Sequence, residues 1–100
     1  MPWTVYAVPT DRRTDLDAAL RDDLVSRQSQ KVRDAAALGG AADRLYVLVE
    51  GTPEGVARAA ELLRGIGEPL PPADGDRLHA KFKEEEESAS AGMGLFFTEG

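Results

Sequence analysis

One hundred residues, with 42% hydrophobic and 30% charged side chains, ten glycines, six prolines and no cysteine, set the frame of one modest domain over residues 1–100. The missing cysteines exclude a disulfide framework, a thiolate nucleophile and Cys-ligated zinc or iron–sulfur sites, and a formal net charge of −6 repels nucleic acid and anionic lipid on average. The apolar runs Leu45–Val49 and Leu95–Phe97 fall far short of the ~20 residues of a membrane span, and Met1-Pro2-Trp3-Thr4 lacks the basic and apolar segments of a secretory signal, so a cytoplasmic protein without a cofactor is expected.

Trp3-Thr4-Val5-Tyr6-Ala7-Val8 is rich in aromatic and β-branched residues and stops at Pro9, which has no N–H for a ladder; it reads as a first strand. Thr14 or Asp11 then caps a helix whose apolar stripe is Leu16, Leu20 and Leu24. Beyond Leu24 the stripe fails. Arg27, Gln28 and Lys31 fall where the next core positions would lie, while Val25, Val32 and Ala36 define another face, so a kink near Ser26 or a second helix is expected before the stop at Gly39-Gly40. Leu45–Val49 is apolar on both faces, the mark of a strand covered on both sides. Thr52 as N-cap, Pro53 at the first helical position and Glu54 at the positive end of the dipole open the next helix. Its stripe of Val56, Ala59, Ala60, Leu63 and Ile66 faces the sheet, and Gly65 or Gly67 ends it.

Residues 68–75 carry three prolines and read as a connecting loop with at most a brief edge segment. Asp74 or Asp76 caps a third, largely solvent-facing helix on which Leu78 and Phe82 make a narrow stripe, and Met93–Thr98 reads as a closing strand. The order β-α-β-α-(α)-β predicts a small α/β or α+β domain, a single-layer sheet of three strands with parallel crossovers and helices packed on it. If the Pro-rich loop holds a fourth strand, the fold becomes ferredoxin-like, although the hairpin which that fold needs in its middle has no clear strand signal.

Leu24–Arg33 holds Arg27, Lys31 and Arg33 and no acid. On a helix, Arg27 and Lys31 would share a face, Arg12 and Arg13 would extend the patch, and Gln28 would add donors and acceptors, a surface suited to the phosphates of RNA or a nucleotide. A solvated face paired with nearby acids is the plainer account, and no aromatic interleaves the stretch as a stacking platform. The turn of Gly51, Thr52 and Gly55 between strand and helix is a weak anion site, because Pro53 removes a donor, Glu54 repels phosphate and capping already uses these residues. The one histidine, His79, flanked by Lys81 and Lys83, reads as an exposed bystander. Asp15 with Asp17 and Asp22 with Asp23 diverge on a helix, and no spaced cation loop is present, so neither a catalytic nor a metal-binding residue is assigned.

The acidic run Glu84–Glu87 with Gly92, Gly94, Leu95, Phe96 and Phe97 beyond it resembles the acidic C-terminal tail of ribosomal stalk proteins over residues 84–97. It lacks the helical dimer pattern and the long Ala-rich hinge that precede such a tail. A helix end, a turn at Gly92 and a closing strand account for the same residues, with Leu95 and Phe97 in the core and Phe96 and Phe97 as interface candidates. The whole pattern points to a small non-enzymatic interaction or regulatory module that self-associates through a sheet edge or an apolar helix face and contacts another protein. The alternative is an RNA- or nucleotide-associated protein using the basic stretch.

Overall fold

A computed structural model describes the backbone of residues 1–99 and the side chains of residues 1–85. The elements in chain order are β1 (Trp3–Pro9), α1 (Arg13–Leu20), β2 (Ser29–Asp34), β3 (Arg44–Glu50), α2 (Pro53–Arg64), β4 (Glu68–Pro69) and α3 (Pro72–Glu99). The strands lie in the order β2-β3-β1-β4 with every neighbouring pair antiparallel. The fold is therefore α+β with the ferredoxin-like topology. The strands joined through a helix, β1 with β2 and β3 with β4, run parallel with another strand between them. Trp3–Val8 and Leu45–Val49, expected to be related by a parallel crossover, instead pair antiparallel because β2 intervenes in the chain.

Two segments depart from the sequence reading. After Leu20 the chain does not resume a helix: the Asp22 carboxylate accepts the N–H groups of Leu24 and Val25 at 3.2 and 3.3 Å, and a 3-10 turn, Val25–Arg27, delivers the chain to β2. In β2 the side chains alternate, with Val32 packing under the helices on one face and Lys31 and Arg33 on the other. Only Val32 is apolar among the six residues, so the period of two is invisible to a hydrophobicity pattern, while an edge strand readily carries long charged side chains. Lys31 lies in this strand and Arg27 in the turn before it, so the shared helix face does not exist. The second departure is at the C-terminus. Met93–Thr98 falls within α3, and the fourth strand is β4 in the Pro-rich loop, pairing Tyr6 with Pro69 and Ala7 with Glu68. That short strand takes the place beside β1 that a closing strand would have needed, and prolines confine it to an edge.

Alternation along β1 and β3 builds a core on each side of the sheet. Tyr6, Val8, Leu45, Val47 and Val49 meet Leu16 and Ala19 of α1 and Ala59 and Leu63 of α2. On the opposite face Val5, Tyr46 and Leu48 meet Leu38 and, from α3, Leu78 and Phe82. Leu45–Val49 is buried throughout, as a central strand covered on both sides requires. The third helix is not solvent-facing where it carries Leu78 and Phe82, which are 0% and 1% exposed. The helix-end signals around α2 hold, with the Thr52 hydroxyl accepting the Gly55 N–H at 3.1 Å and Pro53 at the first position, and Gly39, at φ 84°, closes the 3-10 turn Ala35–Leu38. Neither Thr14 nor Asp11 caps α1, which follows Arg12 with no side-chain cap, and α3 opens at Pro72, ahead of Asp74 and Asp76.

Two glycines are expected to respond to alanine in opposite directions. A Cβ on Gly67 would collide with the Ala7 carbonyl oxygen and lie 2.9 Å from Val8 Cγ2, both on β1, so Gly67→Ala is expected to cost about 1–3 kcal/mol. In α3 a Cβ on Gly75 would sit 3.7 Å from the Trp3 ring, an ordinary contact, and Gly75→Ala is expected to gain ~0.5–1 kcal/mol from helix propensity. Urea denaturation of the two variants against the parent checks both signs.

Candidate functional site

Cross-strand partners share a face, so the face under α3 reads in rows: Ser29, Glu50 and Trp3; then Lys31, Leu48 and Val5; then Arg33, Tyr46 and Ala7. Glu50 ends the apolar run of β3 and is the buried charged residue of this face, at 8% exposure. Two side chains one helical turn apart on α3 reach it. His79 Nε2 lies 3.1 Å from Glu50 Oε2, and Lys83 Nζ lies 3.0 Å from Oε1. The Trp3 indole, in register beside Glu50, stacks on the His79 imidazole with ring centroids 4.3 Å apart and planes 4° from parallel.

Burial pushes the Glu50 carboxyl up, and the hydrogen bonds and charges of Lys83 and His79 more than reverse this, so its pKa lies below the ordinary value. A buried carboxylate held by two donors is a strong anchor between sheet and helix. His79 is accordingly no bystander: its side chain is 22% exposed and touches both Trp3 and Glu50. The shallow cavity of about 260 Å³ beside α3, lined by Ala37, Leu38, Lys81, Glu84 and Glu85, lies off this cluster.

The basic stretch is divided. Arg12 and Arg13 follow the end of β1 and bind Asp15 at 2.7 Å and Asp17 at 3.2 Å. Gln28 sits at the other end of the sheet, against the turn after β3, and seven residues of strand place the two ends roughly 20 Å apart. Arg27 binds Asp23 at 3.4 Å, and Arg33 crosses to α3 to bind Glu85 at 3.0 Å. Only Lys31 and Arg33 are brought to the same face, two residues apart on β2, with Lys31 opposite Leu48 and Arg33 opposite Tyr46 of β3. The fold thus sets one aromatic side chain, Tyr46, directly beside Arg33, an arrangement invisible in the linear sequence.

The turn of Gly51, Thr52 and Gly55 already has its own oxygen ligand. Gln28 Oε1 accepts the Thr52 N–H at 2.9 Å while its Nε2 donates to the Leu24 carbonyl at 3.0 Å, and Thr52 Oγ1 takes the Gly55 N–H. A Cβ at Gly51 or Gly55 would strike the Gln28 side chain, so the glycines make room for this internal plug. Asp22, beyond its capping of residues 24 and 25, receives Arg58 of α2 at 3.2 Å, and the Arg58 hydrogen bond holds its carboxyl below the usual range. The interface candidates Phe96 and Phe97 lie outside the residues whose side chains are described.

The sequence reading does not find Trp3 and Glu50 as partners of His79, nor Lys83 as the second donor to Glu50. Two signals were present: a lone acid closing a run of five apolar residues, and His79 and Lys83 at the same four-residue spacing as Leu78 and Phe82. Compared with known proteins, the chain matches no family model, no curated protein and no solved structure. Among the described residues no helix is long and apolar enough to cross a membrane.

Proposed function

We propose that the chain is a non-enzymatic interaction module that docks an extended, acidic segment of another protein along the outer side of β2. The observation that carries this reading is that β2, six residues long, is an edge strand with Lys31 and Arg33 on one face and its single acid, Asp34, at its last position on the other. An edge strand offers a row of backbone donors and acceptors for one more strand, and side chains at alternate positions select what is added. Opposite Lys31 and Arg33 an incoming strand gains from acids, and beside Val32 from a β-branched residue. The cations already have partners within the chain; Arg33 holds Glu85 across an exposed pair of the kind worth little in water, so exchanging that partner is cheap.

The same register argument weighs against a second copy on this edge. In antiparallel self-pairing that keeps each face together, centring on Lys31, Val32 or Arg33 sets Lys31 against Lys31, Lys31 against Arg33, or Arg33 against Arg33. In this reading the chain works in the cytoplasm, where a fold without cysteine needs no oxidising environment.

Titrating the protein with a synthetic peptide of alternating glutamate and valine, followed by backbone amide NMR, tests the proposal. Shifts and hydrogen-exchange protection confined to residues 29–34, weakened by salt and lost in Lys31→Glu/Arg33→Glu, are the expected result. Protection of β2 that grows with protein concentration without peptide would mean that a second copy is the occupant, and shifts away from β2 would also overturn the reading.

A further inference from the structure

We propose that Trp3 and Glu50 form a recognition site for a nucleobase with two adjacent N–H donors, guanine, and that His79 of α3 is its built-in occupant. This goes beyond the β2 edge and rests on a separate cluster, where α3 meets the ends of β1 and β3. The imidazole does to this pair what a recognised base does to a protein. It lies flat on an aromatic ring, 4.3 Å away and 4° from parallel, and its edge nitrogen meets a carboxylate oxygen at 3.1 Å. Stacking on an aromatic side chain with hydrogen bonds to the base edge is how single-stranded bases are read.

The carboxylate chooses the base. Its two oxygens are now served by two separate groups, His79 on Oε2 and Lys83 on Oε1. Guanine presents neighbouring N1–H and N2–H donors that would serve both at once. The pairing edge of adenine or cytosine sets an acceptor nitrogen beside its amino group, and uracil flanks its single N–H with two carbonyls, so each brings a lone pair against the carboxylate.

The site is at the rim of the covered face. His79 is 22% exposed on its side chain, whereas Leu78 and Phe82, which hold α3 on the sheet, are fully buried further along the face. A base can therefore replace the imidazole by rotation of one side chain, leaving the apolar contacts of α3 in place. Lys83, 44% exposed and freed from Oε1, meets a phosphate, and Lys31 lies one row away, ~7 Å along the strands. A mononucleotide and a single-stranded RNA share this chemistry.

Trp3 is the sole tryptophan, so its fluorescence reports stacking directly. The full chain and its His79→Ala variant are titrated with guanosine, adenosine, cytidine and uridine monophosphates, and with the trinucleotides UGU and UUU. The expected result is quenching by GMP with affinity raised about tenfold or more in His79→Ala over the parent, since the variant no longer competes with its ligand. The gain is specific to guanine and disappears in His79→Ala/Glu50→Gln. UGU binding more tightly than GMP, with a steeper salt dependence, assigns the base to RNA, and equal binding assigns it to a free nucleotide; both uphold the site. The amide spectrum establishes that each variant is folded, and His79→Ser replaces His79→Ala if the latter is not. Parent and variant binding GMP equally, or the variant binding UMP as well as GMP, overturns the proposal.

Discussion

Phe82→Ala is expected to lower the stability of this chain by about 3–5 kcal/mol, the cost of emptying a fully buried aromatic site. A domain of this size has only about 5–15 kcal/mol in total, so the variant stands near the edge of folding. Phe82 is 1% exposed and packs with Leu78, Val5, Tyr46 and Leu48, so α3 completes the core on this face. Because β1 and β3 carry the side chains of both cores, loosening one face weakens the strands that the other depends on, and a single cooperative transition is expected to persist at a lower midpoint. Urea denaturation followed by circular dichroism and by Trp3 fluorescence checks this. Two separate transitions, with Trp3 and a large part of the helical signal reporting early and the rest late, would show that α3 detaches by itself.

The strands that the sequence revealed are those whose burial is unambiguous. Trp3–Val8 and Leu45–Val49 form the centre of the sheet and carry its apolar residues on both faces. The second helix was equally legible, because Thr52, Pro53 and Gly65 mark its ends by backbone chemistry that needs no tertiary partner. What remained hidden were the two edges. β2 has one apolar residue in six and β4 has two residues, and edge strands owe their pairing to neighbours already in place more than to their own pattern. Once β2 is taken for helix, Arg27 and Lys31 stand four apart on one helical face, and the hairpin that defines the topology disappears.

The candidate site was concealed for a related reason. Trp3, Glu50 and His79 are 29 or more residues apart in the chain, and only the antiparallel register of β1 with β3 sets the first two side by side. Seen in sequence, Glu50 resembles the polar end of a strand and His79 a surface residue between lysines. The ferredoxin-like order places both on the face that α3 covers, where a charge must find partners or be neutralised.

That requirement yields the second expected result. In His79→Ala/Lys83→Ala the Glu50 carboxylate keeps its burial and loses both donors, at an expected cost of about 1–3 kcal/mol near neutral pH. The dependence on pH should also change sign at this residue. In the parent, the folded-state pKa of Glu50 is below its ordinary 4.5, so its contribution to stability is present above the unfolded-state pKa and is lost as pH falls through the folded one. In the double variant burial acts alone and raises the folded-state pKa above the unfolded one; as pH falls, the folded chain takes up the proton first and the penalty is relieved. The difference in unfolding free energy between parent and variant should therefore shrink on acidification. Glu50→Gln supplies the reference, since it removes the titration while keeping a hydrogen-bonding side chain. Urea midpoints across the range where carboxylates titrate, with all other carboxylates common to the three proteins and His79 kept in both the parent and Glu50→Gln, separate the Glu50 effect from the charge on His79. A gap that stays constant from neutral to acid pH would show that His79 and Lys83 hold α3 by packing alone and that the Glu50 charge contributes nothing to the attachment.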